Sequence, residues 1–200
     1  PYSCERVNVM LGPGLMLPEG TLQQARRELI RALTVKRAEP PQVETGRLVP
    51  VPGGSPEVAS LDTIFEVMSA AQLTEELAEL EPDFLYVPLD VLAEDPGSIE
   101  PFLRRGATVA AVMPRVIHDG ELRGVAALLQ KARTAGVTQA LVGNLGHVGI
   151  ARAAGLDLRG DWSLNLFNSY SLQIAAKAGL LSAAVSFELN MEQIRQLSKP

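Results

Sequence analysis

From Thr63 onward the chain repeats one pattern: a short apolar run, a small polar residue, then a helix-forming stretch. Strands are expected near Thr63 to Met68, Phe84 to Pro88, Thr108 to Met113, Gln139 to Val142, Leu156 to Arg159 and Ala183 to Ser186. Helices are expected near Ala70 to Leu80, Ile99 to Arg105, Glu121 to Ala135, His147 to Ala154, Tyr170 to Ala178 and Met191 to Leu197. Ser69 with Gln72 and Asn190 with Gln193 have capping-box spacing at helix starts, and Asp119 and Asn168 can cap in the same way. Short connections between alternating strands and helices imply a parallel sheet with right-handed crossovers. A closed βα barrel needs eight such units, so six make the expected fold an α/β, incomplete TIM-like βα barrel. An open doubly wound sheet is the alternative. The incomplete barrel leaves an unpaired strand edge, and self-association through that open edge would cover it.

The residues before this repeat differ in kind. Val7, Val9, Leu11 and Leu15 to Leu17 suggest a small hairpin about Gly12-Pro13-Gly14, followed by a helix from Thr21 to Lys36. Thr21 and Gln24 have capping-box spacing, and Leu22, Ala25, Leu29, Ile30 and Leu33 recur at helical intervals. Arg26, Arg27, Arg31 and Lys36 occupy the other face, as on a solvated surface or a docking face. Between Ala38 and Pro56 five prolines accompany Gly46, Gly53 and Gly54, which opposes both helix and sheet. The expected organisation is therefore a hairpin-plus-helix segment over 1–37, a linker over 38–57 and a partial barrel over 58–200.

Charge and cysteine content remove several function classes. A net charge of -5 gives no general attraction to nucleic-acid backbones, and no contiguous basic run compensates locally. Cys4 is the single cysteine, so no internal disulfide and no cysteine-built zinc or iron-sulfur site is expected within this chain. That usage suits a reducing compartment, and cytoplasmic localisation is expected. No apolar stretch approaches the roughly 20 residues that span a bilayer, so no membrane association is expected. The chain starts at Pro1 rather than Met and is read as a fragment of a longer protein.

In a βα barrel, chemistry sits at the carboxyl ends of strands and in the loops that follow. That rule selects Ser69, Pro88 to Asp90, Pro114 and Arg115 with His118, Asn144, Asp161 with Asn165 and Asn168, and Ser186 with Glu188. Arg115 follows a stiffening proline and could clamp a carboxylate or phosphate, its bland alternative being an ion pair with Asp119 or Glu121. Asp161 and Glu188 are the acids at strand ends and the candidate catalytic pair, since two carboxyls facing one cavity can divide acid and base roles. Asn144, Asn165 and Asn168 join Arg115 as candidate substrate-binding residues. The glycines of Gly143 to Gly149 would let backbone N–H groups approach an anion, but the stretch lacks the spacing of a dinucleotide fingerprint and the lysine of a phosphate-binding loop. Trp162 and Phe167 suit rim packing. Only His118 and His147 offer imidazoles, too few for a histidine-based metal site, and no metal site is expected. Neither a Gly-x-Ser-x-Gly elbow nor a His-Glu-x-x-His helix occurs.

Taken in order, "LPEGTLQQARRELIRAL", "DFLYVPLDVL", "VAAVMPRVIHDGEL", "ALVGNLGHVGIA", "LRGDWSLNLFNSYSL" and "AAVSFELNMEQI" resemble peptidase family U32, the collagenase-like proteases. "GDWSLNLFNS" followed by "SFELNMEQI" is the most specific part. The resemblance implies a βα barrel and a parent enzyme that is either a peptidase or a hydroxylase. Some relatives hydroxylate bases of transfer or ribosomal RNA with prephenate and an iron-sulfur cluster; others hydroxylate a quinone precursor. Peptide and RNA are thus the substrate classes implied, and a non-catalytic recognition module for protein or RNA is the third reading. Relatives that carry a cluster hold it through cysteines that would fall after Leu197, so no cofactor is expected in this fragment. By motif the resemblance carries over Arg115, Asn144, Asp161, Asn165, Asn168 and Glu188, without assigning their roles.

Overall fold

The computed structural model describes residues 12–40 and 61–199, with residues 6, 8, 10, 46 and 49 between and before them. The chain divides into two compact units, Pro1–Val49 and Pro50–Pro200.

In the first unit Gly12 and Leu15 close a turn, and the strands expected beside it lie partly outside the described residues. Helix α1 covers Glu19–Ala38. It starts two residues before the expected Thr21, with Pro18 at the N-cap, so Thr21 and Gln24 form no capping box. Proline at that position presets a helix-compatible φ, and Gln24 instead donates to Glu28 one turn on. No residue of α1 is buried; its apolar positions Leu22, Leu29, Ile30 and Leu33 are all exposed. The linker expected over Ala38 to Pro56 lies largely outside the described residues.

The second unit holds six parallel strands in consecutive order: β1 Ile64–Glu66, β2 Phe84–Pro88, β3 Thr108–Val112, β4 Gln139–Val142, β5 Asp157–Gly160 and β6 Leu180–Ala183. A doubly wound sheet reverses its order at a switch point; this one never does, which is the winding of a barrel. The sheet is curled into a half-barrel. Three strand spacings separate β2 from β5, about 14 Å if the sheet were flat, yet the Arg159 guanidinium of β5 lies 3.8 Å from the ring centre of Phe84 on β2. Only curvature brings them together.

Alternation along the strands divides the apolar residues between two layers. Leu85, Val87, Val109, Ala111, Ala140, Val142 and Leu158 point outward into a core shared with the helices. Phe84, Tyr86, Ala110, Val112 and Leu141 form a second cluster on the inner face. Burial on both faces is what makes these strands read as continuous apolar runs rather than alternating ones. The covering helices are α2 Glu75–Ala78, α3 Leu89–Glu94, α4 Glu100–Arg104, α5 Leu122–Thr134, α6 Val148–Ala153, α7 Ser169–Lys177 and α8 Met191–Gln196. Along α5, Val125, Leu129 and Ala132 turn one stripe into the core. The unit after β2 holds two short helices where one was expected, because Asp95 and Pro96 break the run with a 3₁₀ turn over Pro96–Ile99.

Two local expectations need correcting. The sixth strand begins three residues early, at Leu180, where Gly179 at φ +80° reverses the chain out of α7 and releases the two leucines straight into the sheet. The pairing then skips Leu181, so that Leu158 faces Leu180 but Arg159 faces Ser182. This bulge turns the Ser182 hydroxyl inward, toward Arg159. Asp119 does not cap α5; Glu121 takes the N-cap position, and its carboxylate accepts from the His118 N–H at 2.8 Å. The boxes at Asn168 and Asn190 form, and Gln72 reaches back to the Ser69 N–H at 3.2 Å.

Candidate functional site

A cavity of about 440 Å³ opens at the carboxyl ends of the strands on the curled inner face. Glu66, Tyr86, Leu141, Arg159, Asp161 and Trp162 are among its walls, drawn from β1, β2, β4 and β5 with the turn beyond it. Strand period explains the set: positions two apart share a face, so Arg159 and Asp161 both enter the lumen while Leu158 goes to the helices.

Arg159 is held at the floor by neutral partners. Its Nε donates to Gln139 Oε1 on β4, its Nη1 donates to Ser182 Oγ on β6 at 2.8 Å, and its plane covers the Phe84 ring. Tyr86, itself buried, completes the layer; burial pushes its phenol pKa up, and Arg159 nearby pulls partly the other way.

Asp161 heads a 3₁₀ turn over Trp162–Leu164. One carboxylate oxygen accepts from the Trp162 N–H at 2.7 Å and the other from the Ser163 hydroxyl at 3.1 Å. That hydroxyl also lies 3.0 Å from the Gly143 carbonyl, its alternative acceptor across the β4–β5 seam. A Cβ at Gly143 would stand 2.3 Å from Ser163 Oγ, so a larger residue there would force that hydroxyl to move. Glu66, exposed to solvent, ends β1 and lines the same cavity. Burial, and then the negative charge of Asp161, raise its carboxyl pKa above the ordinary glutamate value.

At the rim the Arg115 guanidinium sits 4.4 Å from the Trp162 ring centre, and Phe187 meets the same indole edge-on at 5.7 Å. The alternative expected for Arg115, an ion pair with Asp119 or Glu121, does not form among the described residues. Arg115 thus meets Trp162, which lines the cavity beside Asp161, while Arg115 itself, like Asn144, Asn165 and Asn168, is not among the lining residues.

The other candidates are placed as follows. Asn144 heads a 3₁₀ turn over Leu145–His147 and accepts from the Gly146 N–H at 2.9 Å. Asn168 caps α7, accepting from the Ser171 N–H at 2.8 Å. Asn165 is exposed and adopts a left-handed backbone, φ 49°, where the turn after Asp161 closes. Glu188 is exposed in the turn that Ser186 closes, and is not among the residues lining the cavity. His118 is exposed, whereas His147 is buried with an Nδ1 that has no partner.

Sequence reasoning passed over Glu66, Tyr86 and Arg159. The signal available was a charged residue inside an otherwise apolar strand, at Glu66 and at Arg159, which rarely stands there without a partner or a purpose. Among the described residues no group of three or more His, Cys, Asp or Glu side chains could hold a metal ion. Cys4 lies outside them. The described residues therefore do not fit an iron-sulfur cluster. Among them, too, no helix is long and apolar enough to cross a membrane.

Comparison with known proteins gives a family match and a number of structural matches. A model of the family described as Peptidase family U32 matches residues 96–200. No curated protein matches the chain. The tryptophan synthase alpha chain of Legionella pneumophila subsp. pneumophila is similar in structure at 14% identity and a TM-score of 0.44, over 66% of this chain and 64% of that one. The match thus spans less than two thirds of that chain's length.

Proposed function

The chain belongs to peptidase family U32, and on that premise we propose that it forms the carboxylate-gripping wall of a barrel enzyme of the RNA-hydroxylating kind, with prephenate as the small molecule held. One observation carries this reading: the Arg115 guanidinium lies over the ring of Trp162, a wall residue of the cavity, with no ion-pair partner among the described residues. Stacking uses the flat face of a guanidinium and leaves its N–H edge free, the edge that receives a carboxylate through two parallel hydrogen bonds. Trp162 fixes the direction of that fork and offers ring surface to a carbocyclic ligand. Asn144 and Asn165, both exposed, are the polar groups proposed to orient the rest of the molecule.

The peptidase alternative has less support. Peptide-bond cleavage needs an activated nucleophile or a metal-bound water. Ser163 has only Asp161 and a backbone carbonyl as partners, with no imidazole among them. Asp161 lines the cavity, whereas Glu188 does not.

The test uses the chain's single tryptophan. Prephenate should change Trp162 emission saturably, and Arg115→Met should weaken that binding about tenfold or more, the value of a charge-assisted pair. RNA from cells lacking the parent gene should lose a hydroxylated nucleoside by mass spectrometry. An unchanged nucleoside profile together with no saturable emission change rejects the reading.

A further inference from the structure

We propose that Phe187 is the platform on which an unpaired base of the RNA substrate stacks, beside the cavity that holds the small molecule. This rests on the RNA side of the reading above and adds to it the surface that receives the polymer.

Phe187 lies in the segment after β6 with 76% of its surface in solvent. It is not an isolated ring. It meets Trp162 edge-on at 5.7 Å, and the Arg115 guanidinium lies over the same indole at 4.4 Å. Three planar groups, from the segments after β3, β5 and β6, therefore stand together, with Trp162 itself 40% exposed and Val116 open to solvent next to Arg115. An exposed apolar patch of this kind marks a place where something else is bound.

The backbone that carries the ring is anchored. Val185 forms a parallel bridge with Leu166, the Ser186 N–H donates to the Leu166 carbonyl at 2.8 Å, and the Leu189 N–H donates to the Ser186 carbonyl at 3.2 Å. Ser186, directly before the ring, is buried. An aromatic side chain presented to water from a fixed backbone gives up little freedom when a partner stacks on it.

Position separates this ring from the small-molecule site. Trp162 is a wall of the cavity, whereas Phe187 is not among the lining residues. A ligand contained in the cavity meets Trp162; one that reaches Phe187 extends past the rim, as a polymer does. The chemistry then selects among polymers. Every base has a π face, and unpaired bases are held on aromatic rings and guanidinium planes. An extended peptide is instead recognised through strand-edge hydrogen bonds and pockets for alternate side chains, which a single open ring does not supply. The net charge of -5 gives no general pull on phosphates, so the affinity comes from stacking and depends little on salt. A base within a duplex has both faces covered, so the RNA must present this one unpaired.

The experiment measures binding of the intact chain to a short, unstructured, fluorescein-labelled RNA by anisotropy, for wild type, Phe187→Ala, Phe187→Leu and Phe187→Tyr. Stacking of one base predicts affinity about five- to hundredfold weaker in Phe187→Ala. Phe187→Leu keeps apolar area without a π face and should lose nearly as much, while Phe187→Tyr should stay near wild type. Wild-type affinity should fall with salt no more steeply than a logarithmic slope of about −0.7, the value for one phosphate contact to a single strand. Circular dichroism confirms that each variant is folded. No binding by wild type, an alanine or leucine variant as tight as wild type, or a steeper salt slope overturns the inference. So does a peptide of similar length that loses affinity in Phe187→Ala where RNA does not, which assigns the ring to peptide. Prephenate titrated separately against Trp162 emission in wild type tests the Arg115 reading. A saturable response without RNA binding keeps that reading and removes this one; RNA binding without a response does the reverse.

Discussion

The guanidinium of Arg159 covers the Phe84 ring at 3.8 Å although β3 and β4 lie between their two strands. Its other partners, Gln139 and Ser182, come from β4 and β6, so one side chain ties three strands besides its own across the inner face. Arg159→Met keeps most of the packing volume and removes the charged donors. It should lower unfolding free energy by about 1–3 kcal/mol, the range for hydrogen bonds to charged groups. Urea denaturation followed by circular dichroism measures this; a midpoint equal to wild type would show that curl does not depend on the arginine.

Gly143 and Ser163 are coupled by contact. A methyl group at 143 would overlap Ser163 Oγ at 2.3 Å but would stand 3.6 Å from Ser163 Cβ, an ordinary distance. Gly143→Ala should therefore cost about 1–3 kcal/mol, as overpacking does. Ser163→Ala in the same background should recover a large part of it. A double-mutant cycle on unfolding free energies reads the coupling, and strict additivity would contradict the contact.

Asn168 begins α7 with a reciprocal box: its Oδ1 takes the Ser171 N–H, and Ser171 Oγ lies 3.3 Å from the Asn168 N–H as its acceptor. Asn168→Ala should lose about 1 kcal/mol, and Asn168→Asp or Asn168→Ser should retain most of it. Thermal melts of the three variants separate this capping role from ligand contact, because prephenate affinity measured beside them reports the second role alone.

His147 is buried and its Nδ1 lacks a partner, so burial lowers its pKa below the ordinary value of 6.5. The unfolded chain then binds a proton more readily than the folded one. Stability should be flat above the unfolded pKa and fall as pH drops through the interval down to the depressed folded pKa. His147→Gln should flatten that part of the profile. Denaturant midpoints at pH 5, 6 and 7 provide the comparison.

Glu66 carries the opposite sign. Its folded pKa is raised, so the folded state holds the proton more tightly, and stability declines as pH climbs from the unfolded glutamate value through the folded one. Glu66→Gln should match wild type in acid and exceed it at pH 8. A wild-type midpoint equal to or above the variant's at pH 8 would show that Asp161 exerts no net repulsion on this carboxyl.

Local sequence determined the order and type of the elements in the second unit. Apolar runs such as Phe84 to Pro88, the caps at Asn168 and Asn190, and the helix-ending Gly179 act over a few residues through backbone sterics and hydrogen bonds, which need no partner from afar. The place of Arg115 directly after β3 and Pro114 was legible for the same reason; that its guanidinium would lie over Trp162 was not. The errors were also local in scale. The early start of β6 and the bulge at Leu181 depend on how two leucines choose between edge and core, which only the packing against α7 and β5 decides. Which carboxyls meet was beyond local pattern. Asp161 and Glu66 line one cavity and Glu188 does not, because curling a parallel sheet brings the first strand end toward the fifth, and curvature is a property of all six strands packed together.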